Sequence, residues 1–219
     1  MALSKAYLLV PFALSTTAWM VIYFARKSNR DITAFAGPGY AMLGLFFAVG
    51  SMIIIGEIFP RYSIANFAAE ASHMQQVGAR IEGGSNYVIV EEPAAQLTIA
   101  QQLMNAPVAM VTALFRPFIF EARNPFSLLS ALEATAAMLL LVMAFKRRGV
   151  AASWRRVLGS PSLAYCLIFV LLVSLGVGLT TTNMGTLSRY RIPMIPMYFV
   201  LVLMLLPRKP RRFVKAVRP

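Results

Sequence analysis

The sequence predicts an all-α, polytopic integral membrane bundle, and three observations carry that prediction. Of the 219 residues, 58% are hydrophobic and only 13% are charged, where a soluble domain carries about 25% charged residues. The apolar residues fall in continuous blocks rather than in stripes at helical spacing, and the longest blocks reach the roughly 20 residues that a membrane helix needs. The formal net charge of +13 is gathered in short loops beside those blocks, which is how membrane proteins use Lys and Arg. That distribution argues against a nucleic-acid partner.

Five blocks are candidate spans. The first, Tyr7 to Ala25, follows Lys5 in the manner of a signal peptide, but no small-residue cleavage site precedes Arg26, so it reads as a retained helix. The second runs from Gly37 to Phe59, the third from Phe126 to Phe145 and the fourth from Leu163 to Leu179. The fifth, Ile192 to Leu206, is short, and Pro193 and Pro196 at its start should bend or delay the helix. Four regions result: two N-terminal transmembrane helices in 1–59, an extracytoplasmic segment in 60–125, three C-terminal transmembrane helices in 126–206 and a basic tail in 207–219.

Orientation follows from the basic loops. Lys146, Arg147, Arg148, Arg155 and Arg156 separate the third and fourth blocks, and Arg208, Lys209, Arg211, Arg212, Lys215 and Arg218 follow the fifth. The positive-inside rule places both groups in the cytoplasm, with the N-terminus and the 60–125 region outside. Five crossings with an external N-terminus would suit the C-terminal part of a longer chain, or a subunit seated against another membrane protein or a second copy. The tail after Pro207 is suited to anionic lipid.

Within 60–125, Ile64, Phe67, Ala68, Ala71, Met74, Val77 and Ile81 recur every three or four residues, so 64–81 reads as an amphipathic helix broken by Gly83-Gly84-Ser85-Asn86. Tyr87 to Val90 suits a short extended segment and Ala94 to Asn105 a helix. Pro107 to Phe120 is apolar but too short to span, and suits a re-entrant or interfacial segment.

Chemistry is narrowed by what is scarce. Cys166 and His73 are each the sole residue of their kind, which excludes an internal disulfide and disfavours a metal centre; no cofactor is implied. Of the acids, Asp31 alone maps to the cytoplasmic side, while Glu57, Glu70, Glu82, Glu91, Glu92, Glu121 and Glu133 map outside or to outer helix ends. Two outer segments mix polar groups with aromatics. One holds Arg116, Glu121, Arg123 and Asn124; the other, Thr180 to Arg191, holds Arg189 and Arg191. The planar donor fork of Arg suits phosphate or carboxylate, so both segments are candidates for holding a lipid-linked pyrophosphate. Glu121 or Glu133 would serve as a base or pair with an arginine. Headgroup anchoring or a structural Arg–Glu pair is the alternative reading of the first segment, and a structural role is the alternative for Arg189 and Arg191. Glu133 lies about two turns into the third block, where an acid is a functional candidate with Arg116 or Arg189 as partner. Gly44, Gly50 and Gly56 suit close helix packing.

Phe115-Arg116-Pro117-Phe118, then Glu121-Ala122, Asn124 and Leu128-Leu129-Ser130-Ala131-Leu132-Glu133, resembles a pattern in polytopic proteins of bacterial polysaccharide gene clusters. Asn183-Met184-Gly185-Thr186-Leu187-Ser188-Arg189-Tyr190-Arg191, followed by Pro193 and Pro196, resembles their last outer loop and final helix, and Gly83 to Tyr87 has a similar counterpart. The proteins are grouped with O-antigen polymerases and C-type membrane glycosyltransferases, and the resemblance covers their C-terminal part. It implies the bacterial inner membrane, a polyprenyl-phosphate-linked glycan as partner, catalytic Glu121 or Glu133, and phosphate binding by Arg116, Arg123, Asn124, Arg189 and Arg191. The N-terminal helices, where C-type glycosyltransferases carry a catalytic acid, have no match here. A non-catalytic subunit docked on a larger membrane complex is the alternative.

Overall fold

A computed structural model describes residues 8–27, 104–181 and 183–207, together with Glu57 and His73. The expected second span, the 64–81 helix, the 87–90 segment, most of the 94–105 helix, the packing glycines Gly44, Gly50 and Gly56, and the tail beyond Pro207 fall outside these residues. Every element among the described residues is helical: α1 (Leu9–Lys27), α2 (Ala106–Phe115), a 3₁₀ turn (Ile119–Glu121), α3 (Pro125–Arg148), α4 (Val150–Leu158), α5 (Pro161–Thr180), α6 (Met184–Tyr190) and α7 (Ile195–Leu205).

Local chemistry explains the boundaries. Pro125 and Pro161 stand at the first position of α3 and α5, where the missing N–H costs nothing and the fixed φ suits a helix. Asn124 caps α3: its Oδ1 accepts from Ser127 N at 2.7 Å, and Ser127 Oγ accepts from Asn124 N at 3.1 Å. Replacing Asn124 with Ala should cost about 1 kcal/mol and speed amide exchange of the first turn of α3 by roughly fivefold. At the other end of α3, Gly149 adopts φ +82°, a left-handed conformation open to glycine, and so ends α3 and starts α4. The basic residues Lys146, Arg147 and Arg148 occupy the last turn of α3, beside its carbonyl-rich end.

Two helices, α3 and α5, are long and apolar enough to cross a bilayer, with mean hydropathy of 2.1 and 2.4 over their most apolar windows. A third span results if α6 and α7, which meet at a 69° bend, count as one. The apolar part of α1, Leu9–Phe24, is shorter, as is α2. The prolines delay the last helix as expected: it starts at Ile195 rather than Ile192, with Pro193 in the intervening turn. The segment expected to be merely an outer loop, 180–191, contains α6, whose cap Asn183 accepts from Gly185 N at 2.9 Å.

The core forms around α5. Helices α1, α2, α4 and α7 all pack on it, and α3 packs on α7, α2 and α4. Over half of the apolar window of α5 is covered by protein, against about a fifth for α3, so α5 is central and α3 peripheral. Phe169, Val170, Val173 and Val177 of α5 meet Leu187, Met194, Tyr198 and Val202 in one buried cluster. The α2–α5 contact is backbone against backbone: a Cβ on Gly178 would stand 2.2 Å from the Ala109 carbonyl oxygen. Ala109 and Ala113 are fully buried there, the small-residue packing by which membrane helices approach closely. Arg148 and Arg156 donate from Nε to the carbonyls of Leu205 and Met204, satisfying carbonyls that the end of α7 leaves unpaired.

Candidate functional site

The site is built at the Asn124 end of the bundle, where α2 ends, α3 begins and α6 turns into α7. Arg191 follows α6 directly and is 2% exposed. Its Nη1 donates to the Arg116 carbonyl at 2.8 Å, and its Nη2 donates to the Ser130 carbonyl at 3.0 Å. The same Nη2 stands 3.5 Å from Glu133 Oε2. One guanidinium thereby ties three separate stretches of chain. The planar fork makes this possible, since it directs several donors at fixed angles. Arg191 Nε is buried without a hydrogen-bond partner.

Glu133 is the exposed half of this pair. Its side chain is 39% exposed, against 3% for that of Arg191. Arg191, rather than Arg116 or Arg189, is its partner. Arg116 is taken by Glu121, only five residues away, a short loop that closes at low entropic cost. Arg189 is two residues from Arg191 and therefore about 200° round the helix; it sits exposed at the end of α6. Glu133, Arg191, Ala134, Ala137, Leu114 and Tyr198 line a cavity of about 20 Å³ between α3 and α7. That volume accommodates about one water-sized group.

Arg116 and Glu121 form the second cluster. Arg116 Nε lies 3.0 and 3.2 Å from the two carboxylate oxygens, and Nη2 also pairs with Oε1. Phe118 N donates to Oε2 at 2.9 Å. Burial pushes the Glu121 carboxyl up, but the Arg116 guanidinium and the Phe118 N–H outweigh it, so the group titrates below its ordinary value. A depressed carboxylate contributes stability that is present above its unfolded value and is lost as pH falls through the folded one. The 116–121 turn should therefore hold at neutral pH and loosen in acid. Glu121→Gln should remove that pH dependence and cost about 1 kcal/mol, a figure discounted for partial exposure. Limited proteolysis of the turn between pH 7 and 3 checks both.

The remaining residues lie outside these contacts. Arg123 and Arg189 are exposed, and the Asn124 carboxamide is spent on capping α3. Arg116, Glu121, Glu133 and Arg191 are thus joined through Arg191, while Arg123 and Asn124 follow Glu121 in the chain and Arg189 stands near the end of α6. Sequence reasoning missed Tyr198, a buried residue whose hydroxyl donates to the Ala137 carbonyl at 2.8 Å and fixes α7 to α3 beside the cavity. The available signal was a tyrosine inside an apolar block, whose hydroxyl must find an acceptor when buried. Among the described residues, no group of His, Cys, Asp or Glu is arranged to hold a metal ion.

No family model, no curated protein and no solved structure matches the chain.

Proposed function

We propose that this chain is a multi-pass protein of the bacterial inner membrane that handles a polyprenyl-phosphate-linked glycan at the extracytoplasmic face during cell-surface polysaccharide assembly. The reading takes the chain to cross the membrane five times, with its N-terminus outside. The observation that supports it is Glu133, a carboxylate in the third turn of a membrane-length helix, 39% exposed and 3.5 Å from a buried guanidinium. An acid at such depth is costly and is usually retained for function. In this reading Arg191 holds the carboxylate in place. Glu133 orients or deprotonates an acceptor hydroxyl that comes within hydrogen-bond reach. The exposed Arg123 and Arg189, at the same end of the bundle, engage phosphate oxygens. Arg116 and Glu121 hold the turn that leads to Arg123.

Glu133→Gln should lower glycan transfer or polymerisation by roughly a hundredfold or more, the contribution of a positioned acid or base. The protein should still insert at normal levels, and lipid-linked precursor should accumulate. Unchanged surface polysaccharide in the native host would reject the role of Glu133.

A second reading, a non-catalytic subunit docked on a larger membrane complex, is favoured by α3. Only about a fifth of its apolar window is covered, leaving Phe126, Leu129, Leu132 and Leu139 exposed to lipid or to a partner helix. Glycan output that survives loss of Glu133 but fails when a bulky residue is placed at Leu132 or Leu139 would favour this reading.

A further inference from the structure

Helix α4 stands apart from the site just described, at the opposite, basic end of the bundle. It comprises 9 residues, about 14 Å of helix, far short of the roughly 30 Å hydrocarbon core. Ser153 and Val157 are its buried side, at 2% and 4% exposure. Val150, Trp154 and Leu158 recur every four residues and so form one stripe; they are 65%, 56% and 54% exposed. Uncovered apolar residues of this size on so short a helix need a covering medium.

The charge around the stripe narrows what covers it. Lys146, Arg147, Arg155 and Arg156 are exposed around α4. Arg26, at the end of α1, reaches the α4–α5 turn: its Nη2 lies 3.1 Å from where a Cβ on Gly159 would stand. No acidic residue follows Glu133 in the sequence, and neither ion pair among the described residues lies at this end. Arg156 of α4 and Arg148, at the end of α3 just before it, both donate to the last carbonyls of α7. Helix α4 is thus held at the level where α3 and α7 end and α5 begins.

We propose that α4 lies in the plane of the membrane surface and forms, with Arg26, Arg147 and Arg155, a binding site for the headgroups of anionic phospholipids. Val150, Trp154 and Leu158 enter the boundary between headgroups and acyl chains, the depth at which in-plane helices bury their apolar face. Trp suits that boundary because its ring is apolar and its indole N–H is polar. The basic groups remain at the phosphate level and draw lipid by charge. An acidic protein would satisfy the arginines but would not require an apolar stripe spaced for insertion. A zwitterionic bilayer would cover the stripe but leave the positive charge without a counterpart.

The chain has two tryptophans, so Trp19→Phe leaves Trp154 as the sole indole reporter. This variant is placed in phosphatidylcholine nanodiscs in which the same small fraction of lipid is brominated, either as phosphatidylglycerol or as phosphatidylcholine. Brominated phosphatidylglycerol should quench Trp154 at least roughly twofold more strongly, because anionic lipid is enriched beside the basic cluster. The excess should vanish at 1 M salt, where charges are screened within about 3 Å, and in Arg147→Gln/Arg155→Gln. Equal quenching by both lipids would overturn the anionic site. No quenching by either would overturn membrane insertion and show that protein covers the stripe. The two-lipid comparison in the Trp19→Phe background decides even if the double variant fails to fold.

Discussion

Gly178→Ala is expected to be among the most damaging single-methyl changes in the chain. The added Cβ would meet the Ala109 carbonyl oxygen at 2.2 Å, its carbon at 2.6 Å and its Cα at 3.0 Å. All three are backbone atoms, so no side chain can rotate away. Helix α2 must move as a whole, and α2 leads directly into Arg116, whose carbonyl accepts from Arg191. Overpacking of this kind costs about 1–3 kcal/mol and sometimes more; the upper part of that range is expected here. The control lies one half-turn away. A Cβ on Gly176 meets nothing within 4 Å, so Gly176→Ala should be neutral or should gain up to about 1 kcal/mol from helix propensity. Thermal unfolding of the two variants in the same detergent separates a packing effect from a general intolerance of α5 to substitution.

Arg191→Ala should be comparably destabilising for a different reason. Hydrogen bonds to charged groups contribute about 1.5–3 kcal/mol each in soluble proteins, whereas interhelical bonds within membranes average nearer 0.6 kcal/mol. Two good bonds to carbonyls and one long contact to Glu133 therefore suggest a loss of about 2–4 kcal/mol. Lys at this position keeps the charge but not the fork, so it cannot hold the Arg116 and Ser130 carbonyls together; Arg191→Lys should recover less than half of the loss. Glu133→Gln should change stability little, because its carboxylate is 39% exposed and its contact to Arg191 is 3.5 Å. That contrast makes Glu133 the cleaner probe of function and Arg191 the cleaner probe of architecture. Thermal midpoints of the three variants, measured side by side, check the order.

The parts of the fold legible in the sequence were those governed by continuous hydrophobicity. Phe126–Phe145 and Leu163–Leu179 match α3 and α5, which extend each end by one to three residues, the added residues being Pro, Ser, Thr and basic residues that a hydropathy reading trims away. The delay of the last helix was legible because Pro193 and Pro196 act locally. Helix α4 was not, because three of the nine residues of 150–158 are polar and its periodicity is drowned by the arginines around it. The close approach of Gly178 to Ala109 was not legible either, since a single glycine in an apolar run does not reveal which backbone it faces. At the site, Arg–Glu pairing was foreseeable from composition, but the choice of partners was not. Arg116 finds Glu121 within its own turn, and Arg191 reaches Glu133 across 58 positions, a contact that only the packing of α6 and α7 against α3 creates.

The most direct test of the central claim is the mass of the intact particle, with its bound lipid, after gentle extraction into nanodiscs. The account predicts that a polyprenyl-phosphate or glycolipid is retained by the unaltered protein, and that Arg123→Gln/Arg189→Gln reduces its occupancy. A defined complex with another membrane protein, carrying no such lipid, would contradict it and make the chain an accessory subunit.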